Sequence, residues 1–464
     1  MRRVCVLGLG YIGLPTAAML AVHGFQVTGV DTDERVLKAV GARQFHTQEP
    51  GLAELVARAL ESGNLQTAPR PQPADAFVIA VPTPCAHGPQ PATALPRADL
   101  SYVAAATESI VPVLQGGNLV VLESTVPPGT TEGLLAAILA RSGLPVTGDG
   151  AGVMLAHCPE RVLPGRILDE LVRNDRIIGG IDRPSAERAR ELYASFARGA
   201  ILLTDATTAE LVKLMENTYR DVNIALANEF ALVAERVGVD IWEAIELANR
   251  HPRVSVLKPG PGVGGHCIAV DPWFIAQVAP EATPLIQTAR RVNDRMPGHV
   301  VGMVKEAVAG VPTPVVACLG LAYKANVDDL RESPALEVVR QLRAEGMQVR
   351  TFDPLAGPVP GLESAHCRSL AEAVAGADCA VILTDHRELE ALQPEALAAM
   401  RHRIVVDTRN ALRGPEWQRP GSGRIALGAG RARAFSESGH CHPEQVLRAL
   451  QRGERRPAKG PGYT

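Results

Sequence analysis

The chain has 464 residues, of which 46% are hydrophobic and 21% are charged, and its formal net charge is −3. This composition is ordinary for a soluble globular protein, and the near-neutral charge predicts no nucleic-acid partner. No apolar run reaches the roughly 20 residues that span a bilayer, so we expect no membrane partner, and the length predicts two or three domains.

The eight cysteines are scattered along the chain, and no two of them form a C-x-x-C pair. Such spacing argues against a disulfide or zinc framework, so we predict a cytoplasmic protein that holds no metal. Cys5 and Cys318 lie within apolar stretches and are predicted to be buried structural thiols.

Residues 1–205 alternate short apolar stretches with helical patterns. Alternation of this kind is typical of a parallel, doubly wound sheet that binds its ligands at the carboxyl ends of the strands. The predicted strands are Val4–Leu7, Gln26–Asp31, Ala76–Val81 and Leu119–Glu123, and the first helix is predicted over Gly13–Gly24.

A glycine-rich segment, GLGYIG at 8–13, joins the first predicted strand to the first helix. Its three glycines suit a tight turn, a close approach of pyrophosphate to backbone, and close helix–strand packing. An acid at the end of the next strand disfavours a 2′-phosphate, so NAD is predicted rather than NADP, although Arg35 weakens that preference. The predicted cofactor residues here are Gly8, Gly10, Tyr11, Ile12, Gly13, Asp31, Arg35 and Thr83.

A polar segment, AHCPERVLPG at 156–165, follows another apolar stretch. It places Glu160 beside Arg161 between two prolines, and two interpretations are open. The carboxylate is either held there to activate water, or it forms a surface salt bridge of little energetic value.

From Thr207 to about Val237 the chain has no Pro or Gly, and apolar residues recur at spacings of three and four. This pattern predicts one long helix with more than one apolar stripe, of the kind that bridges domains and forms dimer interfaces. Lys213 and Asn217 are four residues apart and share one face. For Glu216 and Asp221 we expect a solvated helix face.

Cys267 lies in the segment 260–272, GPGVGGHCIAVDP, where turn-forming residues let the backbone approach a ligand closely. A thiol among glycines and polar groups has the setting of a nucleophile, because a cation or loop N–H groups can lower its pKa. The alternative is a buried structural cysteine. Together with the cofactor segment, a nucleophilic thiol predicts a dehydrogenase that proceeds past the aldehyde to the acid. A further helix is predicted from Thr283 into Asn293.

A second α/β unit is predicted after residue 315. Segment 320–334, GLAYKANVDDLRESP, suits a phosphate-binding rim, a charged loop with Ser333 as helix N-cap, or both. The predicted elements are strands at Val315–Gly320, Gln348–Phe352, Ala380–Thr384 and Ile404–Asp407, and a helix over Pro334–Glu345. The fold is therefore predicted as α/β, with two Rossmann-like doubly wound domains joined by a long central helix.

The predicted domains follow from these elements. They are a NAD-binding domain at 1–205, a central helical dimerisation domain with the cysteine loop at 206–300, a second Rossmann-like domain at 301–445, and a disordered tail at 446–464.

Together these motifs resemble the nucleotide-sugar 6-dehydrogenases of the UDP-glucose/GDP-mannose dehydrogenase superfamily, over residues 1 to about 440. Segments 157–165, 251–254 (HPRV) and 264–272 are most similar to the UDP-N-acetyl-D-mannosamine dehydrogenase branch. UDP-glucose enzymes carry a Ser-Cys-Phe-Pro-Lys-Asp type of loop, and Val270 replaces the lysine here, so UDP-glucose is less favoured.

The resemblance implies an NAD-dependent, four-electron oxidation of the C6 alcohol of a UDP-N-acetylhexosamine. Cys267 would add to the intermediate aldehyde, and a thiohemiacetal and then a thioester would precede hydrolysis to the uronate. The best match is UDP-N-acetyl-D-mannosamine, and the epimeric UDP-N-acetyl-D-glucosamine remains open. The product would enter a surface polysaccharide or a specialised metabolite. A binding-only relative and an enzyme that stops at the aldehyde are the alternatives.

The resemblance also implies a role for each candidate residue. Glu160 would activate water, Asp271 would assist proton transfer, and Thr125 would lie near the nicotinamide and C6. Lys213 and Asn217 would stabilise the oxyanion. The implied substrate-binding residues are Glu160, Arg161, Leu163, Lys213, Asn217, Arg253, Gly262, Lys324 and Arg409.

Three arginines and one lysine have further implied roles. Arg253 would reach the pyrophosphate of a neighbouring subunit, Arg331 would lie at the cofactor, and Lys324 and Arg409 would face the UDP. A homodimer through the long helix is also implied.

Overall fold

The computed structural model describes residues 1–44, 49–85, 95–163, 165–419 and 422–429. Two compact units are found within these residues. Unit 1 consists of Met1–Tyr219 and Val270–Gln287, and unit 2 consists of Arg220–Ala269 and the described part of Thr288–Thr464. The predicted tail at 446–464 lies outside the described residues, and the predicted domain boundaries stay predictions.

Unit 1 is built on a sheet that has eight strands in the described residues, in the order β3-β2-β1-β4-β5-β6-β7-β8. Neighbouring strands are parallel except β6 and β7, which pair antiparallel. The predicted parallel, doubly wound sheet is confirmed. The antiparallel pairing of β6 with β7 was not predicted, because a strand buried on both faces is apolar whichever way it runs. The strands are β1 Arg3–Leu7, β2 Gln26–Val30, β3 Leu65–Ala68, β4 Ala76–Ile79, β5 Leu119–Leu122, β6 Met154–His157, β7 Arg176–Gly180 and β8 Ile201–Asp205.

Helices cover both faces of this sheet, and β1 shows why. Its side chains alternate between two apolar clusters, with Val4 and Val6 in one and Cys5 and Leu7 in the other. The helices are α1 Gly13–Val22, α2 Glu34–Gly41, α3 Leu52–Glu61, α4 Ser101–Ile110, α5 Ala136–Leu139, α6 Ile167–Arg173 and α7 Arg183–Tyr193.

The predicted long helix is α8, Ala206–Val237. It is followed by α9 Ile241–Ala248, α10 Asp271–Val278 and α11 Pro284–Ala307. The predicted end of α11 near Asn293 was wrong, since the helix continues through Pro297. An internal proline costs about 3 kcal/mol, but residues beyond it, such as Val300 and Val304, are fully buried in an apolar cluster that repays this cost.

Unit 2 contains a sheet that has five parallel strands in its described residues, in the order β10-β9-β11-β12-β13. Ser333 caps the helix Pro334–Ala344 by accepting a hydrogen bond from Ala335 N, as the sequence predicted. The strands are β9 Val315–Leu319, β10 Gln348–Phe352, β11 Cys379–Ile382, β12 Ile404–Asp407 and β13 Arg424–Ala426, and the helices are α12 Pro334–Ala344, α13 Leu370–Val374 and α14 Arg387–Glu390. Across the described part of the chain, no helix is both long and apolar enough to cross a membrane.

Candidate active site

The glycine-rich segment forms a tight turn between β1 and α1 in unit 1. Gly8 has a φ of +90°, and a Cβ at Gly13 would overlap the carbonyl oxygen of Gly8. A Cβ at Gly10, in contrast, would meet no atom of the described residues within 4 Å. The first and third glycines are therefore required by the fold, and the second faces space that a ligand can fill.

The residues around this turn fit a dinucleotide. Among the described residues no side chain caps the N-terminus of α1. In its first turn Leu14 N donates to Gly10 O and Pro15 has no N–H, so the Gly13 amide is the one left for a pyrophosphate. Asp31 accepts hydrogen bonds of 2.9 Å from Leu9 N and Asp33 N, one on each carboxylate oxygen. Each oxygen can accept a further bond from a ribose hydroxyl. Arg35 is paired with the carboxylate of Asp33 at 2.7 Å.

The loop after β5 contains Thr125, and two hydrogen-bond systems hold it. Thr83 Oγ1 donates to Thr125 O over 2.6 Å. Further along the loop, the Glu210 carboxylate on α8 accepts from Gly129 N at 2.6 Å and from Thr131 N and Oγ1 at 2.7 and 2.6 Å. Burial raises the pKa of Glu210, and the bonds from Thr131 and Gly129 oppose this effect. Glu210 thus ties the Thr125 loop to the helix that carries Lys213.

Lys213, Asn217 and Asp271 come together in unit 1. Asn217 Nδ2 donates to Asp271 Oδ2 over 2.6 Å. Burial raises the pKa of Asp271 to about 6, while the charge of Lys213 and the bond from Asn217 oppose the rise. The predicted shared face of Lys213 and Asn217 is therefore directed at a buried carboxyl group, which is the first residue of α10.

Glu160 is buried, whereas one of the two sequence interpretations placed it in a surface salt bridge. Its side chain is 9% exposed, and Oε2 lies 3.3 Å from the guanidinium of Arg176. The alternative of a surface salt bridge with Arg161 was wrong, because Arg161 contributes its backbone N–H, not its side chain, to Glu160 Oε1, at 2.7 Å. The Arg161 side chain instead pairs with Glu216 at 2.7 Å. Glu216 is exposed as predicted, but it is engaged in this ion pair.

The cysteine loop belongs to unit 2, apart from its last residues. Cys267 is half-buried in the turn before α10. A Cβ at Gly265 would collide with the ring of Tyr323, and Gly265 N donates to Arg331 O over 3.1 Å. Hydrogen bonding to Asp329 raises the pKa of Arg331, and the Cys267 thiolate adds to the rise. Arg331 is thus a cation within electrostatic reach of Cys267, of the kind that favours a thiolate.

A buried hydrogen-bond chain anchors this loop to α8 and α11. Asn228 Oδ1 accepts from Gly260 N, and Asn228 Nδ2 donates to Asn293 Oδ1, both over 2.9 Å. Asn293 Nδ2 donates to Asp221 Oδ1 at 2.7 Å, and Arg290 donates to the same oxygen at 2.6 Å. The expected solvated position of Asp221 was wrong: the side chain is 0% exposed. Burial raises its pKa, and the charge of Arg290 opposes this.

The residues predicted to face the UDP lie in unit 2. Arg409 Nε donates to Asp385 Oδ1 over 3.1 Å, and a Cβ at Gly260 would overlap the Arg409 guanidinium. Lys324 is half-buried, and Arg253 is exposed on the segment after α9. Arg409 therefore lies against the start of the cysteine loop, and Arg253 is accessible from solvent.

Comparison with known proteins decides the family. Models of the UDP-glucose/GDP-mannose dehydrogenase family match residues 2–197 (NAD binding domain), 207–295 (central domain) and 317–414 (UDP binding domain). The chain belongs to this family. The predicted family, its NAD chemistry and the α/β fold with two sheets and a long central helix are thereby confirmed.

Individual relatives of this family member are similar along most of their length. A UDP-N-acetyl-D-mannosamine dehydrogenase of Methanocaldococcus jannaschii is 49% identical over 434 residues, which are 93% of this chain and 97% of the relative. An NDP-N-acetyl-D-galactosaminuronic acid dehydrogenase of Ralstonia solanacearum is 48% identical over 88% of this chain and 96% of the relative. The structure of the UDP-D-ManNAc dehydrogenase of Pyrococcus horikoshii, 44% identical, superposes with a TM-score of 0.85 over 93% of this chain and 100% of that one.

Several polar residues of this family member were missed by the sequence reasoning. Three of them lie in or beside strands and helices whose sequence pattern is typical of a hydrophobic core: Arg176, Glu123 and Tyr193. The available signal was a charged residue directly after an apolar strand, which is the position of Glu123 after β5. The roles of Glu210 and Asn228 on the long helix were also missed, because helical spacing does not reveal which loop a side chain reaches.

Proposed function

We propose that this dehydrogenase oxidises the C6 alcohol of UDP-N-acetyl-D-mannosamine to the carboxylate. The observation that carries the chemistry is the placement of Cys267 four residues before Asp271, a buried carboxyl group hydrogen-bonded to Asn217. The substrate is proposed from the relatives of 43–49% identity that are named UDP-N-acetyl-D-mannosamine dehydrogenases. NAD, when bound, supplies the acceptor for the two hydrides that this oxidation releases.

In the first oxidation, the residues of α8 act on the C6 oxygen. The ammonium of Lys213 and the amide of Asn217 donate hydrogen bonds to the alkoxide that develops as the hydride leaves. Asp271, hydrogen-bonded to Asn217, accepts the proton that the alcohol loses. Thr125, held by Thr83, orients the C6 hydroxyl.

In the second oxidation, Cys267 makes hydride loss from the aldehyde level possible. Its thiolate forms a C–S bond with the aldehyde carbon, and the carbonyl oxygen takes up a proton. The tetrahedral carbon then loses its hydride, its hydroxyl releases the proton that it had gained, and the carbon becomes the carbonyl carbon of a thioester. Water attacks that carbonyl with help from Glu160, the C–S bond breaks, and Cys267 leaves as a thiolate.

The remaining binding residues are assigned by the same proposal. On the NAD side these are Gly8, Gly10, Tyr11, Ile12, Gly13, Asp31, Arg35, Thr83 and Arg331, and on the UDP-sugar side Arg161, Leu163, Arg253, Gly262, Lys324 and Arg409. The domain roles follow: residues 1–205 bind NAD, 206–300 carry the cysteine loop, and 301–445 bind UDP. The extents of the three family models support this division.

We also propose that the enzyme is a cytoplasmic homodimer that pairs through α8. Exposed apolar side chains recur along this helix at spacings of three, four and seven residues, and an apolar stripe this long favours burial against a second copy. They are Met215, Tyr219, Leu226, Phe230, Val233 and Val237. Light scattering of Leu226→Glu tests this: a monomer is expected, and an unchanged dimer would refute the interface.

The experiment that tests the substrate is NADH formation with UDP-N-acetyl-D-mannosamine, its gluco and galacto epimers, and UDP-glucose. The galacto epimer is a second candidate, because relatives at 48% identity are named NDP-N-acetyl-D-galactosaminuronic acid dehydrogenases. The manno compound is expected to give the highest kcat/KM and two NADH per sugar. One NADH per sugar, or full uronate production by Cys267→Ser, would overturn the mechanism.

A further inference from the structure

A buried guanidinium, that of Arg176, lies directly behind Glu160 in unit 1. Both terminal nitrogens of Arg176 are 3.3 Å from Glu160 Oε2. The two side chains are 5% and 9% exposed, so they form a nearly dry ion pair. A buried ion pair adds little net stability compared with apolar packing, because both charges lose their hydration. Stability alone is therefore a weak reason for this arrangement.

Arg176 is fixed from several directions, so it can act as a rigid anchor. Its guanidinium carbon lies 4.9 Å from the ring centroid of Tyr193 and 5.3 Å from that of Phe196. Both contacts have the geometry of cation–π interactions. A further bond runs from Arg176 Nη2 to Leu171 O over 3.3 Å. The arginine begins β7, whose backbone pairs with β8 along its whole length.

These contacts determine which part of Glu160 remains available. Arg176 occupies Oε2 with two N–H groups, and Arg161 N donates to Oε1 over 2.7 Å. A carboxylate oxygen accepts about two hydrogen bonds. Oε1 therefore retains one acceptor position, in a direction set by the other three bonds.

A second buried carboxyl group, Glu123, adjoins the pair. Tyr193 donates to Glu123 Oε1 over 2.7 Å, and Thr16 donates to Oε2 over 3.4 Å. Burial raises the pKa of Glu123 to about 7, with the charge of Glu160 adding to the rise and Arg176 opposing it. When Glu123 is protonated, the positive charge of Arg176 faces the Glu160 carboxylate alone.

We propose that Arg176 is a positioning residue of the hydrolytic step, which holds Glu160 so that Oε1 receives the water that attacks the Cys267 thioester. This proposal rests on the proposed function, since it presupposes the role of Glu160. The water oxygen bonds to the thioester carbon, one water proton passes to Glu160 and on to solvent, and the C–S bond breaks to release the Cys267 thiolate. The second water proton is lost as the product acid ionises.

The test compares Arg176→Lys, which keeps the charge but loses the two-nitrogen contact, with Glu160→Gln. Each variant is mixed with saturating NAD and UDP-N-acetyl-D-mannosamine, and NADH is followed in a stopped-flow instrument. If hydrolysis alone is impaired, a burst of two NADH per active site precedes a slow steady state. Intact mass measurement is then expected to find the acyl group on Cys267.

For Arg176→Lys we expect kcat to fall by about 10- to 100-fold, because a misplacement of about 1 Å has that effect on a reacting group, while KM changes by less than about threefold. Arg183→Lys is the matched control: Arg183 is 69% exposed and pairs with Glu187, and this variant is expected to keep the parent rates. The thermal midpoint of each variant shows whether it is folded.

The outcomes separate the two levels of the proposal. If Glu160→Gln accumulates the acyl adduct and Arg176→Lys does not, the positioning role is overturned and the role of Glu160 stands. If neither accumulates the adduct while both turn over, the role of Glu160 falls and the positioning role with it. A loss of both oxidations in Arg176→Lys without a burst would mean that Arg176 supports the fold of the site rather than hydrolysis, which also overturns the proposal.

Discussion

The side-chain oxygen of Asn228 accepts a hydrogen bond of 2.9 Å from the backbone amide of Gly260. Asn228 is fully buried on α8, and Gly260 begins the loop that carries Cys267. The bond therefore connects a rigid helix to the backbone of a loop that has little secondary structure of its own.

Replacing Asn228 with Ala is expected to destabilise the protein by about 1–3 kcal/mol, because Gly260 N and Asn293 Oδ1 lose their partners in a buried site. Looser anchoring of the loop should also lower kcat more than it raises KM. Urea unfolding and steady-state kinetics measure the two effects. Glu306→Ala, on the exposed face of α11, is the control and should change stability by less than about 0.5 kcal/mol. Equal effects of both substitutions would contradict the anchoring role.

Asp271 is expected to make activity and stability change in opposite directions with pH: its ionised form supports activity and lowers the stability of the fold. Its folded pKa of about 6 lies above the ordinary value of 3.8, mainly through burial. The stability it contributes is therefore complete below about pH 4 and is lost as the pH rises through 6. Asp271→Asn should thus stabilise the protein at pH 8, by at most about 3 kcal/mol, while it lowers kcat.

The measurement for Asp271 is the thermal midpoint of both proteins at pH 5 and pH 8. The advantage of the asparagine variant should shrink at pH 5, where the folded wild type is largely protonated. The kcat of the wild type should fall as the pH drops below about 6. A variant that is less stable at pH 8 would show that the hydrogen bond from Asn217 and the charge of Lys213 outweigh the burial of the Asp271 charge.

Gly262 is expected to tolerate no side chain. Its φ of +132° lies in a region that L-residues rarely adopt, and an added Cβ would lie 2.9 Å from the Cβ of Pro334. Gly262→Ala should therefore lower both stability and activity, by about 1–3 kcal/mol in unfolding free energy. Gly302→Ala is the matched control: Gly302 lies within α11, an added Cβ there meets no described atom within 4 Å, and the change should stabilise the helix by up to about 1 kcal/mol.

Alkylation is expected to modify Cys267 before the buried thiols. Burial raises the pKa of Cys5 to about 11 and those of Cys158 and Cys379 to about 12, so these sulfurs react slowly. Peptide mass mapping after brief iodoacetamide treatment at pH 7.5 should find label on Cys267, with activity lost in proportion. The half-buried Cys85 is the internal comparison, and its modification should leave activity intact.

The sequence predicted four of the eight described strands in the first sheet and four of the five in the second, because strands buried on two faces are short apolar runs with sharp glycine and proline ends. It also predicted that Lys213 and Asn217 share a helix face, since that follows from helical spacing alone. It did not predict that Asp221 is buried against Arg290. The sequence pattern around a charged residue on a long helix is the same whether that residue is solvated or paired with a distant arginine.

The positions of Glu160 and Arg176 illustrate the same limit. The sequence places Glu160 beside Arg161. After β6, however, the chain turns so that the Glu160 carboxylate accepts hydrogen bonds from Arg176, sixteen positions away. Sequence spacing fixes neighbours within an element, whereas contacts between a loop and the next strand depend on how the sheet is assembled. The antiparallel pairing of β6 and β7 was missed for that reason.

The uncapped N-terminus of α1 affects the stability, and so the lifetime, of the folded protein. A bound dinucleotide would complete the helix end that no described side chain covers, so occupancy and folding are coupled. At a concentration one hundred times its dissociation constant, a ligand that binds only the folded state adds about 2.7 kcal/mol to stability. Oxidised cofactor would thus stabilise the folded chain. When a cell is depleted of this cofactor, the lifetime of the protein would shorten before the reaction slowed.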